Sequence, residues 1–187
     1  MGKVKLSFLL DDSGTPVYSV LFDNKPVVLS SRMGFVLNED SAFYRGFALG
    51  SVERRTVDES WRPVWGESRE IRDHYTELTV HLVKGLVTAG GPATRLSDGQ
   101  AFGNGSAGGV AAGPRRYLDI VFRVFADGVG FRYVFPKQTD LKYFVVTDER
   151  TQFRLAGDHK TFWIPGDYDS NEYPYTTSKL SEIEFMQ

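Results

Sequence analysis

The hydrophobic pattern along most of the chain repeats every two residues. Apolar and polar residues alternate in three runs, at 4–10, 78–82 and 118–124. This alternation is typical of β-strands that bury one face and expose the other. Turn-forming residues separate such runs at 11–14 (DDSG), 23–26 (DNKP) and 126–128 (ADG). The last of these lies between two strongly patterned runs and predicts a hairpin.

Three more strands are predicted in the second half of the chain, at 143–147, 152–155 and 161–164. No segment carries a convincing stripe of apolar residues at helical spacing, and at most one short helix fits, near 178–183. Regularly spaced strands with turn signals between them predict an all-β sandwich of mostly antiparallel strands.

One region departs from this pattern because it is rich in glycine. Nine of the chain's 19 glycines fall between residues 85 and 113, where large apolar side chains are few. We therefore predict a flexible surface insertion at 85–116 that joins two strands. Gly103, Gly105 and Gly108 match the dinucleotide-binding fingerprint, but no strand precedes them and no helix can follow, so a phosphate-binding role is not supported.

Composition narrows the function classes. The chain has 187 residues, 41% of them apolar and 14% aromatic, which is typical of one ordered domain. Its 22 basic and 24 acidic residues give a net charge of −2 without a basic stripe, so we expect no nucleic-acid partner. The absence of cysteine excludes disulfides, thiolate metal sites and a cysteine nucleophile. We expect neither a membrane span nor a signal peptide in these residues.

The densest group of polar and aromatic residues spans 157–175. Asp167, Asp169 and Asn171 alternate as in the first half of an EF-hand calcium loop. The second half is missing, since Glu172 stands where glycine is required and Ser178 where a bidentate glutamate is required. Two interpretations stay open: one or two carboxylates contribute to a calcium site completed elsewhere, or the loop's acidic side chains bind local backbone amides.

The same segment allows other chemistry. Asp167 and Glu172 could act as a glycosidase acid and base if they faced each other across a cleft of roughly 5 to 9 Å. Four aromatic residues surround them, and these could either stack on sugars or lie in the core or an interface: Trp163, Tyr168, Tyr173 and Tyr175. The same alternatives hold for the aromatic segment 61–66 (WRPVWG). The three histidines show neither metal-ligand spacing nor a Ser/His/Asp arrangement.

Four segments in order resemble the amino-terminal domain of glycoside hydrolase family 97: 64–67 (VWGE), 71–78 (IRDHYTEL), 122–133 (FRVFADGVGFRY) and 166–173 (GDYDSNEY). The resemblance extends from about residue 4 to residue 185, apart from the glycine-rich insertion. It implies an exo-acting bacterial α-glucosidase or α-galactosidase of the periplasm. Such enzymes join a β-super-sandwich, similar to galactose mutarotase, to a catalytic (β/α)₈ barrel and a small carboxy-terminal β domain.

The resemblance also implies how this chain contributes to a site. The catalytic carboxylates belong to the barrel, so we expect no catalytic residue here, and the α-linked oligosaccharide is bound through that barrel. The amino-terminal domain supplies a glutamate ligand to calcium near the scissile bond, and the matching residue is Glu172. Residues 1–187 are then expected to be a partial amino-terminal domain, truncated at its carboxy-terminal end, with the barrel absent.

Three functional hypotheses follow. The leading one is a non-catalytic domain that supports the barrel of an α-glycoside hydrolase. The alternative is a free-standing carbohydrate-binding β-sandwich that uses Trp163 and the nearby tyrosines. The third, self-contained hydrolysis by Asp167, Asp169 and Glu172, lacks a visible opposing acid.

Overall fold

The computed structural model describes residues 3–86, 95–96, 111–166, 168–169 and 172–183. The chain divides into two compact units, Met1–Arg154 and Leu155–Gln187. In the described part, the first unit contains ten strands: β1 Val4–Leu10, β2 Pro16–Phe22, β3 Lys25–Arg32, β4 Phe35–Leu37, β5 Phe47–Trp61, β6 Ile71–Leu86, β7 Arg95–Leu96, β8 Ala111–Val124, β9 Val129–Val134 and β10 Val146–Glu149. The second unit contains β11 Lys160–Trp163, β12 Thr176–Lys179 and the 3₁₀ helix Leu180–Glu182.

Two four-stranded sheets dominate the first unit. Their strand orders are β3-β2-β1-β7 and β5-β6-β8-β9, and every described pairing in them is antiparallel. Strands β4 and β10 form a separate antiparallel pair. The predicted all-β architecture of antiparallel strands is confirmed. No helix in the described ranges is long and apolar enough to cross a membrane.

The core lies where the two sheets face each other. Phe8 of β1 and Phe122 of β8 are buried, with ring centroids 5.8 Å apart. On β8, Leu118, Ile120 and Phe122 are fully buried, as the alternation in the sequence predicts. The residues between them face the other side of the sheet. The buried cluster draws on both sheets: Val4, Leu6, Phe8, Tyr18, Val20, Val80, Leu82, Leu118, Ile120 and Phe122.

The predicted turns connect neighbouring strands. Gly14 closes the β1–β2 turn with a φ of 70°. In the β8–β9 hairpin, the Phe125 N–H donates to the Gly128 carbonyl at 2.8 Å. The turn predicted at 23–26 is shorter than expected, because β3 already begins at Lys25. Asp23 and Asn24 have φ values of 51° and 61°, as the two central residues of a type I′ hairpin turn require.

The later strand predictions are confirmed in part. The strand predicted at 143–147 is β10, which runs from Val146 to Glu149, and the one predicted at 161–164 is β11. The strand predicted at 152–155 is wrong, because only isolated backbone bonds join this segment to β3. The Gln152 N–H donates to the Arg32 carbonyl at 2.9 Å, and the Leu29 N–H donates to the Arg154 carbonyl at 2.7 Å. The short helix predicted near 178–183 is the 3₁₀ helix.

The glycine-rich segment predicted at 85–116 lies largely outside the described residues. Residues 85–86 end β6, and residues 111–116 begin β8. Between them, only β7 is described, and it pairs with β1 through Phe8↔Leu96 and Leu9↔Arg95. The glycines of the dinucleotide-like motif, at 103, 105 and 108, fall outside the described residues.

Candidate functional site

The candidate acidic loop, residues 164–175, connects the two strands of the hairpin in the second unit. Strands β11 and β12 pair from Lys160↔Lys179 to Trp163↔Thr176. Side chains reinforce this pairing at Ser178. The Trp163 indole N–H donates to the Ser178 hydroxyl at 3.1 Å, and the Thr161 hydroxyl donates to the Ser178 carbonyl at 3.0 Å. The loop therefore begins and ends at a hydrogen-bonded pair of strands.

A second set of contacts holds the chain that follows β12. The Asp158 carboxylate accepts hydrogen bonds from the Ser181 backbone N–H and hydroxyl, both at 2.8 Å. These bonds hold the pKa of Asp158 below its usual range. The Leu180 N–H also donates to the His159 carbonyl at 2.9 Å. Asp158 thus ties the 3₁₀ helix to the segment before β11.

Glu172, the residue predicted as a calcium ligand, is exposed in this loop, and so is Asp169. Asp167 and Asn171, the other members of the predicted half-loop, lie outside the described residues. Among the residues that the structure describes, no three histidine or acidic side chains converge where they could hold a metal ion. Calcium takes six to eight oxygen ligands, so the described side chains of this loop do not form a calcium site of their own.

The tyrosines of this unit are on its surface. Tyr168, Tyr175 and Tyr173 are 99%, 73% and 43% exposed, so the core-packing alternative is wrong for them. Phe162 on β11 is also exposed, whereas Trp163 is half-buried and its indole N–H is bonded to Ser178. Tyrosine is enriched at interfaces because its ring is apolar and its hydroxyl is polar.

The sequence analysis missed an ion cluster on the outer face of the β5-β6-β8 sheet. Glu77 lies opposite Arg55 and Arg123 in register. Its Oε1 accepts from Arg55 Nε at 2.7 Å, and its Oε2 accepts from Arg123 Nε at 2.9 Å. Burial raises the pKa of Glu77, but the arginine hydrogen bonds outweigh burial and lower it below its ordinary value. The Arg123 guanidinium also covers the Tyr75 ring, 4.5 Å from its centroid.

The sequence analysis also missed a contact between His81 and Asp119 on the same face of this sheet. His81 Nδ1 lies 2.8 Å from Asp119 Oδ1, and Ser51 lies opposite His81 in register. Ser51, His81 and Asp119 do not form a nucleophilic triad, because His81 Nε2 is buried and lies 3.6 Å from Glu53 Oε1. His81 and Asp119 are 38 positions apart, so the sequence alone does not indicate that they are in contact. Only the strand register brings the two side chains together.

The aromatic segment 61–66 lies at the tip of the β5–β6 hairpin. Trp61, Val64 and Trp65 are 48%, 99% and 88% exposed. The core-packing alternative is therefore wrong here as well. Val64 and Trp65 belong to the segment 64–67, one of the four that carry the family resemblance.

The two facing antiparallel sheets of the first unit define an all-β sandwich. The hairpin loop of the second unit, which exposes carboxylates and tyrosines, is a candidate binding loop. The family model described as "Glycosyl-hydrolase 97 N-terminal" matches residues 1–187. The chain therefore belongs to the amino-terminal domain family of glycoside hydrolase family 97, and the resemblance seen in the sequence is confirmed.

Known relatives agree with this assignment. The chain is 22% identical over 194 residues to a retaining α-galactosidase of Bacteroides thetaiotaomicron, covering 97% of this chain and 24% of that protein. It is 28% identical to a family 97 glycoside hydrolase from Pseudoalteromonas sp. strain K8 solved with panose, with a TM-score of 0.75 over 96% of this chain and 24% of that one. The crystal structure of a β-arabinopyranosidase shares the fold, at 22% identity and a TM-score of 0.70, covering 93% and 24%. The chain thus spans about a quarter of the length of these relatives.

Proposed function

We propose that this chain is the non-catalytic amino-terminal domain of an exo-acting α-glycoside hydrolase, an α-glucosidase or α-galactosidase. In this role it supports a catalytic (β/α)₈ barrel and supplies Glu172 as one calcium ligand of the active site. Family membership over residues 1–187 and the α-galactosidase relative support the enzyme class. The observation that carries the site is the exposed position of Glu172 on the loop between β11 and β12.

The chemistry of the loop fits a shared calcium site better than a site of its own. A glutamate carboxylate provides one or two of the six to eight oxygen ligands that calcium takes. Glu172 would hold the ion from this side, and the remaining ligands would come from the barrel. A bound calcium ion orients substrate and stabilises developing charge. The α-linked oligosaccharide is neutral, and the near-neutral net charge of this chain, −2, is compatible with such a substrate.

A Glu172→Gln variant of the full-length parent enzyme tests the site. It keeps the shape of the side chain and removes its charge, so calcium should bind about 10- to 100-fold more weakly by calorimetric titration. Turnover of nitrophenyl α-glucoside or α-galactoside should then need more added calcium. The matched control is Glu53→Gln, which neutralises a glutamate that is 76% exposed on β5. Calcium affinity equal to wild type in Glu172→Gln would show that the site assignment is wrong.

The exposed tyrosines favour one alternative, a carbohydrate-binding β-sandwich that acts without a barrel. Tyr168 and Tyr175 could stack on sugar rings, and Trp163 at the base of the loop would report binding by its fluorescence. Titration of the 187-residue chain with panose separates the two ideas. Saturable quenching at millimolar sugar supports the alternative, and no change supports a domain whose substrate is held by the barrel.

The proposal extends to the location of the parent protein. We expect the periplasm, because the family resemblance implies an exported bacterial enzyme.

A further inference from the structure

The β5–β6 hairpin extends beyond the sheet as an arm, defined here as residues 57–75. The pairing of β6 with β8 ends at Thr76↔Val124. Beyond that point, the described parts of β5 and β6 pair only with each other, from Val57↔Tyr75 to Trp61↔Ile71. Five residue pairs at about 3.4 Å each give an arm of roughly 17 Å before the loop at its tip.

Side-chain contacts brace the arm. Arg72 and Asp58, on opposite strands, form a two-point ion pair, with Nε to Oδ1 at 2.7 Å and Nη2 to Oδ2 at 2.6 Å. At the base, Tyr75 is buried, and its ring centroid lies 5.2 Å from that of Phe125. A two-stranded ribbon is marginally stable by itself, so these contacts favour one conformation of the arm.

The tip of this braced arm is apolar and exposed. Trp65 and Val64 are 88% and 99% exposed, and Trp61 is 48% exposed. Small ligands bind in concave sites that cover most of their surface, which a projecting tip does not provide. A projecting tryptophan instead resembles the anchor residues that fill pockets at the centre of protein interfaces.

We propose that the arm tip docks into a concave apolar pocket on the barrel domain of the parent enzyme, with Trp65 as the anchor. The inference rests on the proposed function, that this chain is the amino-terminal domain of a longer glycoside hydrolase with a catalytic barrel. The relatives are about four times as long as this chain, so most of each lies outside the matched region. A pocket on the same polypeptide faces the tip at a far higher effective concentration than any separate partner.

Hydroxyl-radical footprinting of the 187-residue chain and the full-length parent tests this docking. Trp65 should be oxidised at least about tenfold more slowly in the parent, because a docked anchor is shielded from solvent. Tyr143, which is 90% exposed on the first unit, serves as the reference aromatic residue. Equal oxidation of Trp65 in both proteins would overturn the proposal.

Other occupants give different results. Protection of Trp65 that rises with the concentration of the 187-residue chain would identify a second copy as the occupant and overturn the proposal. Protection of Trp65 in that chain by added panose would identify a sugar as the occupant and overturn it as well. In the parent, Trp65→Ala should speed hydrogen exchange of the arm about 30-fold, whereas Tyr143→Ala should leave it unchanged. Footprinting reports on Trp65 and calcium titration on Glu172, so failure of one proposal is distinguishable from failure of the other.

Discussion

Replacing Glu77 by glutamine removes the negative charge that lies between Arg55 and Arg123 on three adjacent strands. Glu77 is 6% exposed, and it contacts Arg55 at 2.7 Å and Arg123 at 2.9 Å. A hydrogen bond to a charged group contributes about 1.5–3 kcal/mol when its partners are shielded from water. The Arg55 and Arg123 side chains are 65% and 40% exposed and regain water when the charge is lost, which reduces this contribution.

After that discount, Glu77→Gln should lower the free energy of unfolding by about 2 kcal/mol and the melting temperature by about 4–8 °C in a chain of this length. The effect should depend on pH. The pKa of Glu77 is lowered in the folded state from an ordinary value of 4.5, so its stabilisation is present above that value. It disappears as the pH falls through the lowered folded-state pKa, and the difference between wild type and variant should shrink with it.

Urea unfolding followed by circular dichroism, at pH 7 and at steps down to pH 3, measures both expectations without adding salt. The control is Asp58→Asn, which neutralises an exposed carboxylate paired with Arg72 and should change stability less. Two results would refute the reasoning. One is an unfolding midpoint at pH 7 that matches wild type, and the other is a difference that persists undiminished at pH 3.

Two further stability predictions concern the core and a turn. Phe122→Ala should destabilise the chain by about 3–5 kcal/mol, because it leaves a cavity beside Phe8 and Phe131. Phe122→Leu should cost less than half of that. Equal unfolding midpoints for both variants in urea would contradict the packing argument. Asn24→Val should cost about 1–2 kcal/mol, because Asn24 has a φ of 61°, while Asn24→Gly should be close to neutral in thermal unfolding. A destabilisation by glycine as large as that by valine would mean that the Lys5 hydrogen bond to the Asn24 side chain dominates instead.

Much of the sandwich could be predicted from the sequence, because a pleated strand sends alternate side chains to opposite faces. The alternation at 118–124 correctly predicts that Leu118, Ile120 and Phe122 are buried. Turn chemistry is equally local, and the predicted hairpin at 126–128 joins β8 to β9. Strand β5 has no such signal, because most of its residues from Glu53 onward are exposed on both faces.

The candidate site divides in the same way. The motif at 166–173 (GDYDSNEY), which includes Glu172 and carries part of the family resemblance, is legible in the sequence. The exposure of Tyr168 and Trp65 is not, because an aromatic residue in a β protein is compatible with either the core or the surface. At 152–155 the sequence predicts a strand that the structure does not contain, because these residues make only isolated backbone bonds to β3.

By itself, then, the sequence determined the fold class, the buried faces of the patterned strands, the turns and the family. Tertiary structure alone decided which distant residues meet, since Glu77 contacts Arg55 and Arg123, 22 and 46 positions away. The physical reason is that strand periodicity arises within a few residues. Pairing and register depend instead on which separate segments lie side by side, and on how the sheets bury their apolar faces against each other.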